Sequence, residues 1–203
     1  MEDCKMLQQR GGWAEDLLTN RCSFPIAPIN TFSNLAYIIM GVLVYVLTTN
    51  LASAVMALAL TFLGVGSALY HGTKRGWASK LDNAGMYATF SALVTYTLSP
   101  TNHLIGPVMA FVATIVVWRL AYTTTNKELL DPMMGVFIAI STLSVALNGS
   151  LKYALISFSL FGIAYIIWWA DKKYTFWFPK YGHGIWHVLT AIAMALLFLG
   201  RMS

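Results

Sequence analysis

The stretch Gly66-Ser67-Ala68-Leu69-Tyr70-His71-Gly72-Thr73 closes a long apolar run, and His183-Gly184-Ile185-Trp186-His187 answers it near the far end of the chain. On a helix, residues four apart share a face. Ser67 and His71 therefore point one way together, and so do His183 and His187. Three of the four histidines fall in these two pairs. An ionisable side chain inside a membrane helix is costly without a partner, so such a residue marks a functional site by default. The rest of the sequence has to be read as the frame that brings those two faces together.

Composition sets the medium of that frame. The 203 residues are 58% hydrophobic and 10% charged, with mean hydropathy +0.64, whereas a soluble domain is about one-quarter charged. Uncharged runs extend from Cys22 to Thr73, Asn83 to Trp118, Met133 to Leu151 and Tyr181 to Gly200. A spanning helix needs roughly 20 mostly apolar residues, and these runs supply several. The sequence predicts an all-α, multi-pass membrane protein and excludes a nucleic-acid-binding role despite the net charge of +5. The first thirty residues are polar and lack the apolar core of a cleavable signal peptide. Cys4 and Cys22 both lie there and read as two reduced thiols.

Seven hydrophobic segments follow: Phe32 to Thr48, Ala52 to Tyr70, Ala84 to Leu98, Leu104 to Tyr122, Met133 to Leu147, Tyr153 to Trp169 and Ile185 to Leu199. Turn chemistry separates them at Thr49-Asn50, Gly72-Thr73, Ser99-Pro100, Asp131-Pro132, Asn148-Gly149 and Pro179-Lys180. The expected architecture is a seven-transmembrane helix bundle over residues 32–200, with a cytoplasmic leader at 1–31 and a short tail at 201–203. Eleven lysines and arginines fall on the N-terminal side of the bundle, and only Lys152 and Arg201 on the other. The positive-inside rule then places the N-terminus in the cytoplasm and the C-terminus outside. Trp168, Trp169, Trp177 and Trp186, with Tyr174 and Tyr181, read as an interfacial aromatic belt on the cytoplasmic side. His103 falls in a turn on the opposite side.

This topology carries His71 to the end of the second segment and His183 and His187 to the start of the seventh. Asp82, opening the third segment, joins them at the same depth. Three imidazoles with water in the fourth position form a catalytic zinc arrangement, and zinc lowers the pKa of its water to about 7. Asp82 can take the water's proton and return it to a leaving group. Ser67, one turn from His71, can donate a hydrogen bond to a developing oxyanion. Each residue also has a structural alternative: the imidazoles as packing residues, Asp82 as the N-cap of the third helix, and Ser67 as a small residue easing helix contact.

Ser67-x3-His71, then Asp82, then His183-x3-His187, spread over seven helices, resembles the CREST superfamily of membrane hydrolases. Asn30-Thr31-Phe32-Ser33-Asn34 entering the first helix, and the fuller His-Gly-Ile-Trp-His, are most similar to its alkaline ceramidase branch. The resemblance implies zinc on His71, His183 and His187, with Ser67 and Asp82 as polar partners. It implies hydrolysis of the amide bond of ceramide or a similar N-acyl membrane lipid, giving a fatty acid and an amine. A zinc-dependent lipid esterase would use the same chemistry. A receptor or lipid-binding protein of the progestin/adiponectin receptor or haemolysin III type would keep the metal without turnover. Animal alkaline ceramidases also carry an acidic N-terminal calcium site. Here Trp13-Ala14-Glu15 matches it only in part and Ala27-Pro28 occupy its later acidic position. Calcium wants six to eight oxygen ligands, so calcium dependence is not expected. The minimal loops suit a bacterial inner membrane protein.

Overall fold

A computed structural model describes residues 14–18, 22–98, 105–123, 127–173 and 180–202. Among these residues the elements are all helices: α1 (Ala14–Leu18), α2 (Pro28–Phe32), α3 (Leu35–Thr48), α4 (Leu51–Thr73), α5 (Gly76–Leu98), α6 (Ile105–Thr123), α7 (Lys127–Asn148), α8 (Leu151–Lys172) and α9 (Gly182–Met202). Four stretches are long and apolar enough to cross a bilayer: Pro28–Thr48, Leu51–Thr73, Leu151–Lys172 and Gly182–Met202. The outward faces of α3 and α8 present Ile39, Leu43, Val46, Phe158, Ile163 and Ile166. Such a contiguous apolar surface is a liability in water and an ordinary contact in lipid.

Local chemistry fixes where the helices stop. Thr49, in the left-handed region at φ 43°, ends α3. Asn50 then starts α4 with a capping box: its side chain accepts from the Ser53 N–H while its own N–H donates to Ser53 Oγ. Lys74 ends α4, again left-handed at φ 54°. Small residues let α4 and α5 approach closely. A Cβ on Gly85 would lie 2.7 Å from the Leu63 Cα, and one on Gly66 would lie 3.0 Å from the Leu81 carbonyl oxygen. Thr89 Oγ1 closes the same seam by donating to the Ala59 carbonyl at 3.1 Å. The buried core is built from Tyr37, Leu60, Leu63, Leu93, Leu197 and Phe198 among others. It brings α3, α4, α5 and α9 together around the ends that carry the histidines.

Three boundaries differ from the sequence reading. The third segment begins at Gly76 rather than Ala84, so Asp82 lies more than a turn inside α5 and cannot be its N-cap. Alanine and polar residues there hid the helix from hydropathy. The helix α7 starts at Lys127 and runs through Asp131-Pro132; a proline this near a helix start removes few hydrogen bonds. The turn read at Gly72-Thr73 falls one step later, because Gly72 and Thr73 are still helical. Ser99, Pro100, His103, Tyr174, Trp177 and Pro179 lie outside the described residues.

The leader is packed against the bundle. Ala14, Glu15, Asp16, Ile26 and Ala27 are buried. The backbone N–H groups of Ile26 and Ala27 donate to the carbonyls of Gly72 and His71, strapping the leader to the last turn of α4. Cys22 is disulfide-bonded, which corrects the reading of two reduced thiols.

Candidate metal centre

His71 sits in the last turn of α4, while His183 and His187 occupy successive turns at the start of α9. All three are buried, and their ligand atoms lie within 4.8 Å of one another. The Nε2 atoms of His71 and His183 are 3.1 Å apart. Two nitrogens sharing a tetrahedral zinc at 2.0–2.1 Å would stand about 3.3 Å apart. The three ring centroids are separated by 4.8, 4.4 and 5.1 Å, with tilted or edge-on planes. That geometry turns ring edges, where the lone pairs are, toward a common point.

His187 has a hydroxyl partner on its Nδ1 side. Ser33 Oγ donates to the Asn30 carbonyl at 3.2 Å and stands 2.8 Å from His187 Nδ1, where a proton on that nitrogen would find an acceptor. With its proton held there, His187 would offer the Nε2 lone pair to the centre, the usual outer-shell arrangement of a ligating histidine. Asn30 is held in turn: its backbone N–H donates to Glu15 Oε2 at 2.7 Å, and that of Ile29 to Oε1 at 2.7 Å. Sequence reasoning missed Ser33 as a site residue, although it stands in the Asn-Thr-Phe-Ser-Asn run. Asp171 was missed as well. Its buried carboxylate packs against Gly182, where an added Cβ would lie 2.5 Å from Oδ1, at the start of α9 from which two histidines emerge. The ring of Trp186 stacks on His183, 8° from parallel at 5.2 Å. This side chain also lines the cavity in front of the histidines.

Behind His71 lies Lys74, fully buried, with Nζ 2.6 Å from Asp16 Oδ1. Its separation from His71 Nδ1 is 3.4 Å, too long for a charge-assisted bond, so the aspartate is its partner. Burial pulls the Lys74 ammonium below its ordinary range while Asp16 and Glu15 act against that. Burial pushes the Glu15 carboxyl up, opposed by its two backbone donors.

In front of the histidines opens a cavity of about 310 Å³, lined by Ser67, His71, Asp82, His183 and His187 at its polar end. Met86, Phe90, Met134, Ile138, Phe161 and Met194 line the apolar remainder. All five residues singled out from the sequence thus border one space. Tyr37 lines it too, its hydroxyl 2.6 Å from Thr190 Oγ1. Three buried neutral-type nitrogen donors facing a cavity are the donor set zinc prefers, with a side left open for water or substrate.

No curated protein matches the chain. The family model described as ceramidase matches residues 26–202, which takes in every helix from α2 to α9 and all of these cavity residues. The chain therefore belongs to the ceramidase family, membrane hydrolases that act on the amide bond of ceramide.

Proposed function

We propose that this ceramidase is a zinc-dependent intramembrane amidase that hydrolyses ceramide-like N-acyl lipids to a fatty acid and a sphingoid-type base. One observation carries the reading: three buried imidazoles, a serine and an aspartate share one cavity whose other walls suit an acyl chain. His71, His183 and His187 would hold the metal, which supplies a Lewis acid and a water acidic near neutral pH. Ser33 keeps the His187 proton on Nδ1 so that Nε2 stays free. Ser67 donates its hydroxyl proton to the scissile carbonyl oxygen as negative charge grows there. Asp82 accepts a proton from the attacking water and delivers it to the amide nitrogen as the C–N bond breaks. The water oxygen stays on the acyl carbon, so the products are the carboxylate and the free amine.

In this reading all of α3 to α9 span the bilayer as one hydrolase unit over residues 32–200, in a bacterial inner membrane or its equivalent. Helices α5, α6 and α7 have 23, 19 and 22 residues, or about 34, 28 and 33 Å at 1.5 Å per residue. Two of these exceed a hydrocarbon core of about 30 Å, and α6, at 19 residues, is within the roughly 17–25 residues of a spanning helix. The cation distribution favours a cytoplasmic N-terminus and a site near that face. The Cys22 disulfide favours the opposite orientation, because disulfides persist in oxidising compartments. An impermeant maleimide applied to intact cells decides between them. With both native cysteines replaced by serine, Lys173→Cys stays unlabelled if the N-terminal face is cytoplasmic and reacts if it is not.

The functional reading is tested on protein purified in detergent without chelator. Metal analysis by mass spectrometry should find about one zinc per chain, lost in His183→Ala. Lipid products should show amide cleavage of ceramide and none of a matched ester. Zinc without turnover would move the protein to the receptor-like class, and faster ester cleavage would make it a lipid esterase.

A further inference from the structure

The family resemblance raises an N-terminal calcium site, and the residues at that place do not fit one. Calcium needs six to eight oxygens at 2.3–2.6 Å, several from carboxylates. Both Glu15 oxygens are already taken by the backbone N–H groups of Ile29 and Asn30. Asp16 Oδ1 meets the Lys74 ammonium at 2.6 Å, with neither side chain exposed to solvent. Lys74 is the residue in which the backbone leaves α4, at φ 54°. A non-glycine residue in that region is uncommon and persists where its surroundings over-determine it. The ammonium also lies over the Tyr70 ring at 5.1 Å. Three helical residues back is His71, whose carbonyl accepts from Ala27 of the same leader.

We infer that Lys74 is a built-in cation that does here what a bound calcium would otherwise do: it neutralises the Glu15/Asp16 end of the leader and pins the leader over the His71 turn. Lys74 is a positioning residue in this scheme. It holds the strap, and the strap holds the last turn of α4. The chain is then independent of calcium by construction. Removing the ammonium would leave the Asp16 carboxylate buried without the Lys74 charge, while Glu15 stays tied to the backbone.

The full-length protein in calcium-free detergent buffer tests this, by equilibrium dialysis against radioactive calcium and by the thermal midpoint with and without 1 mM calcium. Zinc content is read on the same samples. Wild type should bind no calcium and keep its midpoint when calcium is added. Lys74→Ala should lose on the order of 10 °C, since it breaks a buried pair by removing one partner. Calcium should not restore it, because Glu15 stays bound to the backbone and too few oxygens converge there. The double variant Asp16→Asn/Lys74→Met removes both charges together; it should be more stable than Lys74→Ala and insensitive to calcium. Calcium binding by wild type overturns the inference. So does a Lys74→Ala protein as stable as wild type, or a double variant no more stable than Lys74→Ala. Should Lys74→Ala fail to fold, recovery of folded protein in the double variant supports the pairing, and its failure to recover refutes it. None of these readouts needs substrate or turnover, so failure of the zinc amidase reading shows separately, as absent zinc in wild type.

Discussion

Replacing Ser33 by alanine isolates the outer-shell contact to His187. The hydroxyl makes two contacts, standing 2.8 Å from His187 Nδ1 and donating to the Asn30 carbonyl at 3.2 Å. Loss of the second is well tolerated, because the same carbonyl also accepts from Asn34 Nδ2 at 2.6 Å. The folding penalty is therefore about 1 kcal/mol or less. Loss of the first removes the acceptor that keeps the His187 proton on Nδ1 and orients the ring. Outer-shell partners of this kind typically contribute 10- to 100-fold in metal affinity, about 1.4–2.8 kcal/mol. Competition against a fluorescent zinc chelator should show that weakening in Ser33→Ala, with the thermal midpoint of the zinc-loaded protein moved by only a few degrees. Ser33→Thr keeps the hydroxyl and should restore most of the affinity. Wild-type zinc affinity in Ser33→Ala would refute the tautomer argument. Equal loss in both variants would show that packing beside Gly184, and not the hydroxyl, is what matters.

Asp82→Asn should retain about one zinc per chain while lowering kcat for ceramide 10²- to 10⁴-fold, the range lost with a general acid–base group; zinc loss in this variant would make Asp82 a ligand instead. Ser67→Ala should lower kcat by roughly 10²-fold or more at nearly constant KM, and a pure KM effect would assign Ser67 to substrate binding. Gly85→Ala should destabilise the α4–α5 seam by about 1–3 kcal/mol, because its methyl would meet the Leu63 backbone at 2.7 Å; an unchanged thermal midpoint would show that the two helices can slide apart at no cost.

The parts of this molecule legible in sequence are those carried by periodicity. Apolar runs marked the helices, and four-residue spacing put Ser67 with His71 and His183 with His187 on shared faces. Chain direction alone then carried both pairs to one end of the bundle. What escaped has a different origin. The helix α5 extends back to Gly76 through Trp77, Ser79, Lys80, Asp82 and Asn83, a polar stretch that hydropathy reads as loop; Ser79, Asp82 and Asn83 line the cavity while Trp77 and Lys80 are exposed. Ser33 was invisible as a site residue because it acts on α9 across 154 positions; Asp171 closes the preceding helix, and its packing against Gly182 is a tertiary contact with no sequence signature. Lys74 was counted as one cation among eleven on the N-terminal face. Charge counting assumes that a lysine at a helix end reaches water, and this one turns inward to a carboxylate from the leader. The errors at Ser33 and Lys74 share a cause: the leader was treated as an appendage, yet its Asp16 pairs with Lys74, its Glu15 holds the Asn30 backbone, Asn30 accepts from Ser33, and Ser33 contacts His187. A deletion of the leader should therefore weaken zinc binding even though none of the proposed ligands lies within it. An N-terminal truncation that keeps full zinc affinity would break that chain of contacts at its first link.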